Sequence, residues 1–224
     1  QFFTTCPWTM PESHAYGVFV NTKGQRFINE DCYHGRVSRC AVDQPDGKVY
    51  LLLDNAHFVQ PMDFARMRIA GTGETWEEVE SELELPEGTL SATMAVYNTH
   101  ARDGRDPLFD KRPPILTPLD QGPFIALELD FHDSYFSFFT LGGLKTSTDG
   151  EVLDRAGSAI PGLFAAGRCT SGLPAWGHGY SSGMSLADFD VLAQTLVARA
   201  GGNLRVVCPD VVGRGKSDWL TDPM

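Results

Sequence analysis

The stretch GRCTSGLPAWGHGYSSGMSLAD, residues 167–188, decides between two folds. Its Gly179-Tyr180-Ser181-Ser182-Gly183 matches G-x-S-x-G, the turn that exposes a nucleophilic serine in α/β-hydrolases. That turn needs a strand running into the serine and a helix leaving it, with the acid and the histidine later in the chain. Here GLPAWGH (172–178) precedes the motif and reads as loop, and the apolar run 162–167 has already ended. The last of the six histidines is His178, ahead of Ser181. A triad in that chain order cannot be completed, so Ser181 is not read as an acyl-transfer nucleophile.

What remains is a glycine-rich loop that opens a helix. Glycine lets backbone come close to another group. A helix start presents unpaired N–H groups and the positive end of a dipole. Such a place suits an anion, or the edge of a cofactor that gains negative charge on reduction; the residue types do not say which.

Outward from this loop the chain alternates short apolar runs and turns. YGVFVNTKGQRFINED (16–31) reads as strand, turn and strand, with Arg26-Phe27-Ile28 resuming after Thr22-Lys23-Gly24. KVYLLLD (48–54) reads as a buried strand after the turn QPDG. A short helix is expected over 61–70. Thr75 is placed to N-cap a helix ending at Leu83, with Glu77 and Glu78 in its first turn. In 86–104 Leu90, Met94 and Tyr97 fall on one helical face and Gly104 is a stop. RPPILTPLDQGPF (112–124) is a proline-rich connector. Beyond it come β structure with a Gly-Gly turn, an Asp-Gly hairpin at 149–150, a buried strand at 162–167 and a helix over 186–200.

With 224 residues and 42% apolar content, the chain holds one good core, or one domain and part of another. A net charge of −11 argues against nucleic acid or an anionic membrane surface as partner. GETWEEVESELELPEG (73–88) holds many of the acids and reads as the solvated face of a helix. No apolar run is long enough to span a bilayer, and residues 1–16 lack the basic start and apolar core of a signal peptide. Cys6, Cys32, Cys40, Cys169 and Cys208 form no C-x-x-C pair; they read as reduced thiols of a cytoplasmic protein, with no metal site.

Residues 16–200 resemble the C-terminal part of flavoproteins of the fumarate reductase and 3-ketosteroid dehydrogenase family. The motifs GVFVNTKGQRFINED, LGGLKT, DGEVLD, IPGLFAAGR and SGMSLAD carry the resemblance. It implies an α+β fold, with a substrate-capping domain over 16–135 and the C-terminal segment of a Rossmann-like FAD-binding domain over 136–202, after a truncated lead-in at 1–15. It implies FAD as cofactor, held by Gly142, Gly143, Leu144, Gly167, Arg168, Gly183, Ser185 and Leu186. The chain is most similar to the steroid branch that inserts a 4,5 double bond into 3-ketosteroids. That branch implies Tyr33, in NEDCYHGR, and Tyr180 with Ser182, in GYSSG, as catalytic residues. The implied partner is a small, apolar, steroid-like substrate whose 3-keto oxygen the tyrosines polarise while Ser182 helps remove the adjacent proton. Fumarate reductases carry an arginine proton donor shortly after their Asn-Glu. Here that neighbourhood reads Tyr33-His34-Gly35-Arg36, with Arg36 offset, which weakens an enoate-reductase reading.

The G-x-G-x-x-G fingerprint that binds the FAD pyrophosphate is absent after any strand of this sequence. The family carries it near the N-terminus. The expectation is therefore a fragment that binds FAD weakly by itself and is inactive alone, completed by a missing N-terminal half or a partner chain. Residues 203–224 look foreign to the rest: Asp210, Gly213, Gly215 and Ser217 resemble an early loop of α/β-hydrolases.

Overall fold

A computed structural model describes residues 3–6, 12–134, 137–140, 143–170 and 197–198. The chain forms two compact units, residues 3–139 and residues 1–2 with 140–224.

The larger unit is organised by four antiparallel strands. They are β2 (Val18–Asn21), β3 (Lys48–Asp54), β4 (Arg68–Gly73) and β5 (Phe124–Asp130), lying side by side as β2-β3-β5-β4. Strand β1 (Phe3–Cys6) pairs separately with β6 (Ser137–Thr140). Alternation along the strands sends side chains to opposite faces. Val18, Val20, Tyr50, Leu52, Phe124 and Ala126 pack on one face, together with α2 (Trp76–Glu82) and α3 (Thr89–Arg102). Phe19, Val49, Leu51, Leu53, Ile125 and Leu127 pack on the other, with Val37 and Ala41 of α1 (His34–Val42). Both faces are covered, which is why residues 49–53 of KVYLLLD are apolar without a break.

Helix α2 is capped as its sequence requires. Thr75 Oγ1 accepts the Glu78 N–H at 3.3 Å, and Glu77 and Glu78 occupy the first turn of α2. Leu90, Met94 and Tyr97 of α3 are buried, and Gly104 follows at φ +69°. The N-cap of α3 is Gly88, which has no side chain to offer. Glu80 supplies the cap from α2: its carboxylate accepts Gly88 N–H and Leu90 N–H at 2.6 Å and Ser91 N–H at 3.2 Å. Glu80 is therefore buried, not part of a solvated acidic face, because the start of α3 needs an acceptor there.

Three other expectations are corrected. After β2 the chain makes a single bridge, Val20 to Arg26, and no second strand, because Arg26 is drawn inward by buried carboxylates. Residues 61–70 form a 3-10 turn, Asp63–Ala65, and then β4; Arg66 at φ +52° ends any helix. The strand near 162–167 is β8 (Ala159–Phe164), which pairs with β7 (Glu151–Leu153) and is mostly exposed; burial begins only at Ala165. The Asp-Gly turn forms as expected, with Gly150 at φ +80° and Ser147 N–H donating to Glu151 O at 2.9 Å. Of the helix expected over 186–200 only 197–198 are described, and both are helical.

Candidate active site

Tyr33 stands at the N-cap of α1 and is half-buried. A tightly folded lead places it there. Asn29 Oδ1 accepts the Asp31 N–H at 2.8 Å and Asn29 Nδ2 donates to Phe109 O at 2.9 Å, fixing the turn. Glu30 points the opposite way, into the interior. The Tyr33 carbonyl then accepts Arg36 N–H at 2.7 Å and Val37 N–H at 3.3 Å, starting the helix.

Glu30 anchors a buried charge cluster. Its carboxylate accepts Phe19 N–H at 3.1 Å and takes Arg26 through Nε and a terminal nitrogen at 2.9 and 2.8 Å. Arg26 also pairs with Asp106 at 2.8 Å, and Lys111 Nζ lies 3.4 Å from Glu30 while donating to Gly17 O at 2.7 Å. The guanidinium stacks over Tyr97 and Phe109 at 5.1 and 4.7 Å. Two cations face two anions, so the cluster is neutral overall. Burial brings the Lys111 ammonium down to about 8, opposed by the Glu30 charge. Burial also acts to raise Asp106, but the Arg26 charge and hydrogen bond outweigh it and hold the carboxyl below its usual range. The NED segment before Tyr33 is thus anchored through the buried Glu30, where such bonds are strong and their loss is costly.

Topology fixes which end of the sheet Tyr33 belongs to. Gln44, just past α1, accepts from Asn21 Nδ2 at 3.1 Å, so the C-terminal end of α1 lies against the end of β2. The 3-10 turn Pro45–Gly47 then leads straight into β3. Helix α1 and strand β3 form a hairpin, so the start of α1 and the end of β3 share one end of the unit. At that end of β3 stand Asp54 and His57. Asp54, with a fully buried carboxylate, receives His57 Nδ1 at 2.7 Å, His57 N–H at 3.2 Å and Gln121 N–H at 3.4 Å. The His57 ring stacks on Tyr16, centroids 5.0 Å apart and 14° from parallel. Sequence reasoning did not pick out this pair. The signal was present as Asp54 three positions before His57 at the end of an apolar run, a spacing that a tight turn closes.

Beside the turn at Asn29 a cleft of about 520 Å³ is lined by Phe27, Ile28, Asn29, Cys32, Arg36 and Phe109, among others. Arg36 is exposed there and, among the described residues, makes no ion pair; Arg112 on the same wall is tied to Asp110 at 2.8 Å. Burial pushes the Cys32 thiol up to about 11 and raises Cys40 as well, so neither thiol is activated. Cys32, Cys40 and Cys169 are free. Among the described residues no group of three His, Cys, Asp or Glu side chains could hold a metal, and no helix is long and apolar enough to cross a membrane.

The smaller unit holds the expected cofactor-binding residues that the structure describes. Leu144 bridges Thr170 in parallel, its N–H donating to Cys169 O at 2.9 Å. Gly143 lies so close that a Cβ would overlap the Cys169 carbonyl and sit 2.6 Å from Thr170 C, so only glycine fits. Gly143 and Leu144 are exposed, and Gly167 is buried at φ +72°. An open stretch of main chain with no side chain in the way is what a flat ring needs for close approach, and these residues fit a flavin. Arg168 lies in the 3-10 turn Gly167–Cys169. Gly142, Tyr180, Ser182, Gly183, Ser185, Leu186 and the tail 203–224 lie outside the described residues.

Comparison with known proteins supports the cofactor. A family model described as an FAD binding domain matches residues 2–184. The solved 3-ketosteroid-Δ4-(5α)-dehydrogenase of Rhodococcus jostii RHA1, in complex with 4-androstene-3,17-dione, is 36% identical with a TM-score of 0.71, over 87% of this chain and 40% of that one. A urocanate reductase of Eggerthella lenta is 32% identical over 163 residues, 67% of this chain and 26% of the relative. A probable fumarate reductase of Shewanella frigidimarina is 30% identical over 180 residues, 76% of this chain and 28% of the relative. The chain therefore spans about a quarter of the length of these two curated relatives. It belongs to the FAD-binding-domain family, and its cofactor is FAD.

Proposed function

We propose that this member of the FAD-binding-domain family is part of a dehydrogenase that removes two hydrogens from a CH–CH unit beside the ketone of a 3-ketosteroid-like substrate. The observation that carries the reading is the 36% identity, over 87% of the chain, to a 3-ketosteroid-Δ4-(5α)-dehydrogenase bound to 4-androstene-3,17-dione. FAD, when bound, supplies the hydride acceptor. Gly142, Gly143, Leu144, Gly167, Arg168, Gly183, Ser185 and Leu186 hold it. Tyr33 and Tyr180 donate hydrogen bonds to the 3-keto oxygen. A phenol suits that task because it stays protonated near neutral pH and stabilises negative charge developing on the oxygen. Ser182, relayed through Tyr180, accepts the proton from the neighbouring carbon. The larger unit, with Tyr33, acts as the substrate cap.

A second reading rests on the urocanate and fumarate reductase relatives, 32% and 30% identical. On that reading the same flavin runs in the opposite direction, reducing an enoate. Anaerobic mixing separates the two. A saturated 3-ketosteroid bleaches the oxidised flavin of the FAD-loaded protein if the first reading holds. Bleached flavin reoxidised by urocanate or fumarate, with no response to the steroid, would establish the second.

A further inference from the structure

We propose that Tyr16 and His57 form a subsite for a hydroxyl group on an apolar ligand, at the end of the sheet that carries Tyr33. The inference rests on the dehydrogenase reading for the rest of the ligand, a steroid-like skeleton.

The argument begins with the buried Asp54 carboxylate. An ionised carboxylate can only accept hydrogen bonds. The hydrogen between Asp54 and His57, at 2.7 Å, is therefore carried by Nδ1. In the neutral ring this leaves Nε2 as a bare acceptor, a tautomer set by its neighbour in the manner of carboxylate–histidine pairs elsewhere. Among the described residues Nε2 has no hydrogen-bond partner, and the His57 side chain keeps 22% of its surface. The Tyr16 ring lies parallel against it, and the Tyr16 hydroxyl likewise has no partner among the described residues. A ring whose hydroxyl can donate is therefore stacked against a ring whose Nε2, in the neutral form, accepts. The chain just beyond exposes Val59 and Met62 among the polar Gln60 and Asp63, with Phe58 half-buried.

An alcohol satisfies both groups, because it donates to Nε2 and accepts from Tyr16. A ketone of the same shape accepts from Tyr16 and leaves Nε2 unpaired. The subsite thus discriminates hydroxyl from carbonyl at one position of an otherwise apolar molecule. It is separate from the 3-keto oxygen, which a hydrogen-bond donor must meet.

The test uses two probes that differ only there: 17β-hydroxy-5α-androstan-3-one and 5α-androstane-3,17-dione. Their dissociation constants are measured by calorimetry on the protein loaded with reduced FAD, which cannot accept a hydride from them. The hydroxy compound binds about three- to tenfold more tightly, as one neutral hydrogen bond allows. His57→Phe abolishes that preference. Asp54→Asn, which keeps the shape but frees the tautomer, abolishes or reverses it. Nitrogen-15 NMR of the ligand-free protein gives an independent readout, with the proton on Nδ1 in the wild type. Equal affinities, a preference that survives in both variants, or an Nε2–H tautomer overturns the subsite, even if both steroids still bleach the flavin. If neither steroid binds, the subsite and the dehydrogenase reading fail together; bleaching by both with equal affinities sinks the subsite alone.

Discussion

Replacing Glu30 with glutamine removes the charge that the interior can least spare. The Glu30 side chain is fully buried and takes four hydrogen bonds or ion pairs, from Phe19 N–H, twice from Arg26 and from Lys111. Glutamine keeps the volume and one acceptor for Phe19 N–H, but its amide N–H₂ meets Arg26 or Lys111 donor to donor. Arg26 retains Asp106 at 2.8 Å, while Lys111 is left as a buried ammonium with no anion in contact. Breaking one partner out of a buried ionic group costs about 3–5 kcal/mol. Against a total stability of roughly 5–15 kcal/mol that is a large loss, equivalent to a fall in Tm of roughly 10–15 °C. The assay is urea and thermal unfolding followed by circular dichroism. A second variant makes the reasoning refutable: Glu30→Gln with Lys111→Met removes one charge of each sign and leaves Arg26–Asp106 balanced. It recovers most of the loss. A single variant within about 1 kcal/mol of wild type, or a double variant worse than the single, would refute a neutral, mutually dependent cluster.

Further outcomes follow from the same structure. The Lys111 ammonium, at about 8 against an ordinary 10.5, is charged at a cost in the folded state. Between those two values the unfolded chain binds more protons, so stability rises with pH, by up to about 3 kcal/mol from this group. The wild-type advantage over Lys111→Met therefore grows from pH 8 to 10.5 in urea titrations, and a flat difference would contradict the shift. Glu80→Ala leaves three N–H groups at the start of α3 without their acceptor and costs about 1–3 kcal/mol; hydrogen exchange at Leu90 and Ser91 accelerates locally. Gly143→Ala forces a Cβ into the Cys169–Thr170 backbone and weakens FAD binding in a fluorescence titration, whereas Gly104→Ala, in open space, leaves it unchanged. At pH 8 a thiol near 11 is about a thousandth thiolate, so Cys32 alkylates with iodoacetamide far more slowly than exposed Cys169, by mass mapping.

Much of the fold could be read from local rules. KVYLLLD, the Thr75 cap and the Leu90-Met94-Tyr97 face are each fixed by neighbours within a few residues, and each stands where its pattern places it. The misreadings share a different cause. Arg26 leaves its strand for Glu30 and Asp106, and the second of these is eighty positions away in the chain. Residues 68–73 become a strand because β5 offers an edge to pair with, a tertiary override of a weak local preference. Glu80 looks like a surface acid until the bare Gly88 cap of α3 is brought beside it. At the candidate site, Tyr33 and the glycines Gly143 and Gly167 were singled out by motif resemblance. The Asp54–His57–Tyr16 group was not, because Tyr16 and His57 meet only when β2 and β3 pair.

The most direct measurement is the identity of the product. The FAD-loaded protein is incubated with 5α-androstane-3,17-dione and an artificial electron acceptor, and the steroid is recovered for mass spectrometry and NMR. The account predicts a product lighter by two hydrogens, with a double bond conjugated to the 3-ketone, formed slowly or not at all by Tyr33→Phe. Unchanged steroid, from a protein whose reduced flavin is reoxidised by urocanate or fumarate, would contradict it.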